Sequence, residues 1–211
     1  MNYSTCEGPV TGEQAVPKSP FSTYQETIDY AEEHLYYEVF MLTGVLRIYT
    51  DQGSLMGNTF LENTTLEAFG HHLRNLIDFL YPDYYKAKKD DVVSDHFLTE
   101  EKVAEWRAKR GTLSCAMNRA RERINKEMAH LTKKRKQSTP EKDWRNIVEL
   151  TGQVGKALDS FLQILGATPA ILRLRESVDE LNRLALIAQP QGEAGYTTGT
   201  TKSLTSRQQH S

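Results

Sequence analysis

Residues 22–50 read STYQETIDYAEEHLYYEVFMLTGVLRIYT, and this stretch decides the fold. Ser22 or Thr23 with Glu26 forms a capping box, in which a hydroxyl and a carboxylate accept from backbone N–H groups at the helix start. Apolar residues then recur in steps of three and four, which is the period of one face of an α-helix. They are Ile28, Ala31, Leu35, Val39, Leu42, Leu46 and Tyr49. We therefore predict a helix of about six turns with one buried face, ending before Gly53.

Later segments show the same helical period. They are residues 64–81, 99–106, 113–131, 139–165 and 168–185. No segment alternates with the period of two that a half-buried strand would show. We predict an all-α fold, a helical bundle of four long helices plus one or two shorter ones, in a single domain spanning 22–188. Residues 1–21 are predicted to be a flexible leader and 189–211 a disordered tail, because both are poor in large apolar residues.

The chain of 211 residues has a net charge of −2, so its overall field recruits neither nucleic acid nor an anionic membrane. Residues 105–136 differ from the rest, with eleven Lys or Arg and three Glu. Such a cluster could neutralise a phosphate backbone. It could equally form the solvated faces of amphipathic helices, and the sequence leaves both interpretations open.

The N-terminus lacks the basic and then apolar pattern of a secretory signal, and no stretch reaches the roughly 18 apolar residues that span a bilayer. We therefore expect a cytoplasmic protein with no membrane partner. Cys6 lies in a polar tail and Cys115 in a helical segment, so we expect no structural disulfide. No Cys/His spacing indicates zinc, and neither a metal nor a cofactor is predicted.

Arg123 and His130 are the strongest candidates for chemistry. At 100° per residue, seven residues bring their side chains within about 20° of each other on the helix surface. A His that titrates near neutral pH can move a proton at the ribose 2′-oxygen or the leaving 5′-oxygen of RNA. A permanently charged Arg can hold the scissile phosphate. A symmetric dimer would supply a second His, so that one could act as acid and one as base.

The pair Arg123 and His130, within the segment ARERINKEMAHLT at residues 120–132, resembles a motif of the HEPN superfamily of prokaryotic toxin and defence ribonucleases. Members carry an Arg and a His with four to six residues between them, late in a helical bundle, and Arg123 and His130, with six residues between them, match this motif at its long limit. The resemblance implies metal-independent RNA cleavage by these two residues at a homodimer interface, with an antitoxin or regulatory protein as a further partner. The family often has a polar residue directly after the Arg. Here that position is Ile124, and Asn125 is expected to point away from His130.

Other residues are assigned to this site with supporting roles. The predicted RNA-binding residues are Arg119, Lys126, Lys133 and Lys134, and the supporting residues are Arg74, His72 and Glu127. The alternative for the central pair is structural: Arg123 would pair with Glu127 four residues later, while His130 would pack at the helix edge. The alternative for the whole chain is a non-enzymatic helical interaction or regulatory module.

Two further features bear on this alternative. Tyr36 and Tyr37 are adjacent on a helix whose predicted buried face is formed by aliphatic residues. At least one of the two tyrosines should therefore face a second surface, such as a dimer contact. Residues 82–99 form a long connection, and such loops are often functional or mobile. It contains Asp90, Asp91, Asp95 and His96 without the spacing of a known metal site, so we expect a solvated loop.

Overall fold

The computed structural model describes residues 18–51, 58–82, 88, 90–125, 145–166 and 169–188. Helices α1 (Tyr24–Tyr30) and α2 (Tyr36–Thr50) are joined without a break by a π-helical turn, Ala31–Leu35. The later helices are α3 (Thr59–Leu80), α4 (Glu100–Arg110), α5 (Cys115–Arg123), α6 (Arg145–Leu165) and α7 (Leu172–Ile187), with 3-10 turns at Ser94–Phe97 and Pro169–Ile171. Within these ranges no strand occurs. The predicted all-α helical bundle is therefore confirmed.

The centre of the molecule is a ring of four helices. Helix α2 packs against α3 and α7, and α6 packs against the same two helices from the other side. Helix α4 lies on α6, and α5 lies on α3. The ring of Phe161 on α6 is 5.4–6.1 Å from the rings of Phe79, Phe97 and Trp106, measured between centroids. This aromatic cluster joins α3, α4 and the connection before α4 to the core.

The first helix follows its predicted stripe closely. The six aliphatic positions of the stripe are buried and Tyr49 is partly buried. At the start, Thr23 Oγ1 accepts from the backbone N–H of Glu26 at 3.1 Å, as the capping motif predicts. The stripe takes two successive steps of four, from Ala31 to Leu35 to Val39, and on a regular helix each step would rotate it by about 40°. The wider π turn there keeps the stripe on one face.

The start of α3 was predicted five residues too late. The helix begins at Thr59 and not at Thr64, and Asn58 Oδ1 caps it by accepting from the backbone N–H of Leu61 at 3.1 Å. Phe60 and Leu61 are exposed, so the first turn does not extend the apolar stripe that indicated the helix. A first helical turn that projects from the core has no buried apolar face, so its residues show no helical period in the sequence.

The expectation of a solvated loop is wrong for residues 93–97. Asp95 is buried, and Arg107 on α4 donates to its Oδ2 from Nε at 2.9 Å and from a terminal nitrogen at 2.7 Å. Ser94 is also buried, and its Oγ accepts from the indole N–H of Trp106 at 2.9 Å. Both partners come from α4, so the burial of these polar residues depends on tertiary contacts.

The expectation of no disulfide is also wrong. Cys115, the first residue of α5, is disulfide-bonded, and the other cysteine of the chain, Cys6, lies outside the described residues. Disulfides persist mainly in oxidising compartments, so this one does not support the predicted cytoplasmic location.

The predicted leader and tail fall largely outside the described residues, namely at 1–17 and 189–211. Phe21, at the end of the predicted leader, packs on the rings of Tyr30 and Phe97 at 5.3 and 5.8 Å. Phe21, which directly precedes the predicted domain boundary, is therefore part of the packed fold. In the described part of the chain, no helix combines the length and apolar character that crossing a bilayer requires.

Candidate functional site

The predicted catalytic pair is only half described. Arg123 is the last residue of α5 and is exposed, and Arg119, one turn earlier, is exposed as well. His130 lies outside the described residues, as do Glu127 and the predicted RNA-binding residues Lys126, Lys133 and Lys134. The pairing of Arg123 with His130 therefore stays a prediction.

A polar cleft of about 620 Å³ opens between the π turn, α3 and α5. Among the residues that line it are Tyr30, His34, Glu38, Asp78, Arg121 and Asn125. Arg74, predicted as a supporting residue, also lines it, whereas Arg123 does not. Helix α5 thus meets the cleft with Arg121 and Glu122, Asn125 follows two residues beyond the end of the helix, and Arg123 does not line the cleft.

Asp78 lies between two guanidinium groups at the cleft wall. Arg74 Nε donates to its Oδ2 at 3.4 Å, and a terminal nitrogen of Arg121 lies 3.6 Å from its Oδ1. Burial raises the pKa of Asp78 despite these two cations, which act to lower it. Desolvation of the carboxylate therefore outweighs two long ion pairs. The i,i+4 spacing of Arg74 and Asp78 favours their contact on a helix, whereas no local spacing indicates the contact from Arg121.

Glu38 closes the other end of the cleft by accepting from two side chains of α3. The Nδ1 of the buried His72 lies 2.7 Å from its Oε2, and Asn75 Nδ2 donates to its Oε1 at 3.1 Å. Because the carboxylate is the acceptor, the proton of this bond is on Nδ1. His72 is held behind Glu38 and does not line the cleft, so its predicted supporting role would have to act through Glu38.

A second surface lies on the outer side of α2. Tyr37 and Phe40 are each 50% exposed and Ile48 is 42% exposed. With Gly44 they occupy one helical row, at spacings of three, four and four residues, which face the same side of a helix. We call Tyr37, Phe40, Gly44 and Ile48 the outer row. At 100° per residue, its centre is roughly opposite the buried stripe of the same helix.

Two residues of the outer row, Phe40 and Gly44, line a shallow groove of about 300 Å³ between α2 and α7. At one end Arg173 lies over the ring of Tyr36, 4.4 Å from its centroid. At the other end Arg47 donates to Glu180 Oε1 at 2.8 Å, and Arg183 donates to both oxygens of Glu180 at 2.6 and 2.8 Å. These hydrogen bonds lower the pKa of Glu180 to about 2. The three groups at this end therefore carry two positive charges and one negative charge.

Among the described residues, no group of three or more His, Cys, Asp or Glu side chains is placed to hold a metal ion. The chain was also compared with known proteins. No family model, no curated protein and no solved structure matches it. Its function must therefore be inferred from its own residues.

The outer row was missed by sequence reasoning, although a signal for it exists. Phe40 and Ile48 are large apolar residues eight positions apart on a helix whose core stripe passes through Val39 and Leu46. A helix with a second apolar row away from its core stripe is either fully buried or has a second contact. At least one of Tyr36 and Tyr37 was expected to face a second surface, and the exposure of Tyr37 agrees with that expectation.

Proposed function

We propose that this chain is a helical interaction module that binds a protein partner through the outer row of α2. The observation that carries the proposal is the exposure of Tyr37, Phe40 and Ile48 on one face of a long helix. A contiguous exposed apolar patch marks an interaction surface more often than chance, and aromatic residues are enriched at the centres of such surfaces. The opposite face of α2 is buried at Val39, Leu42 and Leu46, so the helix presents the row on a rigid support.

Site-specific photo-crosslinking in cells tests this proposal. A photo-reactive benzoylphenylalanine in place of Phe40 should form a discrete covalent adduct with another protein upon irradiation. The same residue in place of Glu32, which is exposed on the preceding π turn, should not. A defined adduct at position 40 alone supports the module. Equal labelling at both positions, or none at position 40, would contradict it.

The second candidate function is metal-independent RNA cleavage of the HEPN type by Arg123 and His130, acting as a homodimer. The exposure of Arg119 and Arg123, one turn apart on α5, favours it. Exposed guanidinium groups at this spacing can contact successive phosphates of a nucleic acid. Arg74, Arg121 and Asn125, which line the neighbouring polar cleft, would supply further polar contacts.

Cleavage of RNA in the presence of EDTA distinguishes the two candidates. If the second holds, the purified protein degrades RNA, and His130→Ala or Arg123→Ala abolishes the activity without loss of helical circular dichroism. Lys156→Ala, an exposed cation on α6, is the matched control and should retain activity. Activity that survives both Arg123→Ala and His130→Ala would remove this pair from the mechanism.

A further inference from the structure

Nothing among the described residues requires position 44 to be glycine. Gly44 lies in the middle of α2, where glycine destabilises a helix relative to alanine. Its helix conformation is not left-handed. Apart from its own helix and chain neighbours, no atom of the described residues lies within 4 Å of the position that a Cβ would occupy. Steric fit inside the bundle therefore does not require it, and a close approach from outside would.

We propose that the groove between α2 and α7 binds an amphipathic helix of a partner protein, with acidic residues at both ends of its contact face. This inference rests on the proposed function and names the chemistry of the partner. Gly44 lies midway along the outer row and lets a helix backbone approach closely. Phe40 and Ile48 lie one turn to either side of it and would contact apolar residues that the partner helix presents at spacings of three and four.

The charges of the groove give the acidic character of the partner. One end carries Arg173. At the other end Arg47 and Glu180 line the groove, and Arg183, which does not line it, also pairs with Glu180. With Arg183 included, this end is positive as well. The side chain of Arg47 is 60% exposed and that of Glu180 only 24%, so the positive groups are the more accessible ones.

The distance between the two ends sets the spacing of the acidic residues. Arg173 and Glu180 are seven residues apart on α7, or about 10 Å along the helix axis. Acidic residues about two turns apart on a partner helix would reach both ends. Glu176 lies between the ends and disfavours acidic groups at the centre of the partner's face.

Binding of two synthetic peptides tests the proposal. Both are helices of about 20 residues with the same leucine row; one carries Glu two turns apart at the flanks and the other carries Lys at the same positions. By fluorescence anisotropy, the Glu peptide should bind the full-length protein at least tenfold more tightly than the Lys peptide. Arg173→Glu should reverse this preference. Equal affinity of the two peptides, or a preference for Lys, would overturn the proposal.

Gly44→Leu supplies a test of the close approach. It should weaken binding of the Glu peptide at least tenfold while raising the midpoint of thermal unfolding, because leucine favours the helix and its Cβ would meet no atom of the described residues within 4 Å. Gly152→Ala, a helical glycine on α6, should raise the midpoint without changing peptide affinity. Unchanged affinity of Gly44→Leu would overturn the close approach, and Arg173→Glu still tests the groove if Gly44→Leu fails to fold.

These outcomes separate the inference from the proposed function. Crosslinks at position 40 without a preference for the Glu peptide would leave an interaction module whose partner has other chemistry. A crosslinked adduct of two copies of this chain, together with a dimer by sedimentation, would replace the acidic helix with a second copy as the occupant. Absence of both crosslinks and peptide binding would overturn the inference and the module together.

Discussion

His72 illustrates how one contact makes a polar residue tolerable in the core. Its ring is buried, with Nδ1 2.7 Å from Glu38 Oε2 and the ring of Tyr37 at its edge, 5.7 Å away between centroids. A buried N–H group without a partner costs about 1–3 kcal/mol, more than a typical hydrogen bond contributes in net terms. The carboxylate of Glu38 is therefore part of the interface between α2 and α3 as well as part of the cleft wall.

Replacing Glu38 should expose this dependence. Glu38→Ala removes the acceptor for both His72 and Asn75, and we expect the free energy of unfolding to fall by about 1–3 kcal/mol. Urea unfolding followed by circular dichroism measures the change. Glu32→Ala, an exposed substitution on the adjoining π turn, should stay within about 0.5 kcal/mol of wild type. Equal effects of the two substitutions would show that the buried contact contributes nothing specific.

Arg107 has a similar role for Asp95. Removing one partner of a buried ion pair costs about 3–5 kcal/mol, because the other charge is left buried. Arg107 is itself partly exposed, so we expect Arg107→Ala to cost about 3 kcal/mol in urea unfolding. Lys109→Ala, an exposed change on the same helix, is the control. If the double variant Asp95→Asn with Arg107→Ala is no more stable than Arg107→Ala alone, the unpaired charge of Asp95 is not the cause of the lost stability.

At the scale of the helix, two glycines of α6 should respond in opposite directions to the same substitution. A Cβ on Gly152 would meet Ala185 at 3.8 Å, an ordinary contact, whereas a Cβ on Gly155 would collide with the side chain of Asn182. We expect Gly152→Ala to raise the free energy of unfolding by up to about 1 kcal/mol through helix propensity. Gly155→Ala should lower it by about 1–3 kcal/mol through overpacking.

Urea unfolding of the two single variants measures this contrast. Asn182→Ala in the background of Gly155→Ala should recover part of the loss, since it removes the atoms that collide. A stabilising Gly155→Ala would mean that α6 and α7 are farther apart than the contact between Asn182 and the Gly155 carbonyl indicates.

The helices themselves were predictable because each has a local cause. The positions predicted for the stripe of α7 are Ile171, Leu174, Val178, Leu181 and Ala185, and all are buried. Gly111 and Gly166, both with positive φ, follow the last residues of α4 and α6, where a left-handed residue ends a helix without strain. The period of apolar residues and the conformational freedom of glycine are both properties of the local sequence, so they can be recognised without the fold.

The candidate site could be predicted only where its contacts are local. Arg74 and Asp78 are four residues apart, and their spacing gave their pairing. The contacts of Glu38 with His72, and of Arg121 with Asp78, join residues separated by more than thirty positions. These contacts depend on which helices pack against each other, and the period of apolar residues along the sequence does not determine how helices pack. The outer row was not predicted for a different reason: the buried apolar stripe of α2 was sufficient to account for the helix.

At the scale of the whole molecule, two carboxylates of the described residues, Glu180 and Asp78, should give opposite responses to acid. The pKa of Glu180 is lowered from 4.5 to about 2 by hydrogen bonds from Arg183 and Arg47. Its contribution to stability is therefore fully present above pH 4.5 and lost as the pH falls toward 2. The pKa of Asp78 is raised above 3.8, chiefly by burial. Its ionisation therefore destabilises the fold as the pH rises through that raised value.

Two isosteric substitutions separate these responses. Glu180→Gln should lower the free energy of unfolding at pH 7, with the loss shrinking as the pH approaches 2, because the wild-type carboxylate is then protonated too. Asp78→Asn should raise it at pH 7. This gain should fade as the pH falls through the raised pKa of Asp78 and be absent below 3.8, because wild-type Asp78 is then protonated and bears no desolvation cost. Urea unfolding at a series of pH values measures both differences. If Asp78→Asn raises the free energy of unfolding by the same amount at low pH, the increase comes from packing. The ionisation of Asp78 would then not limit stability.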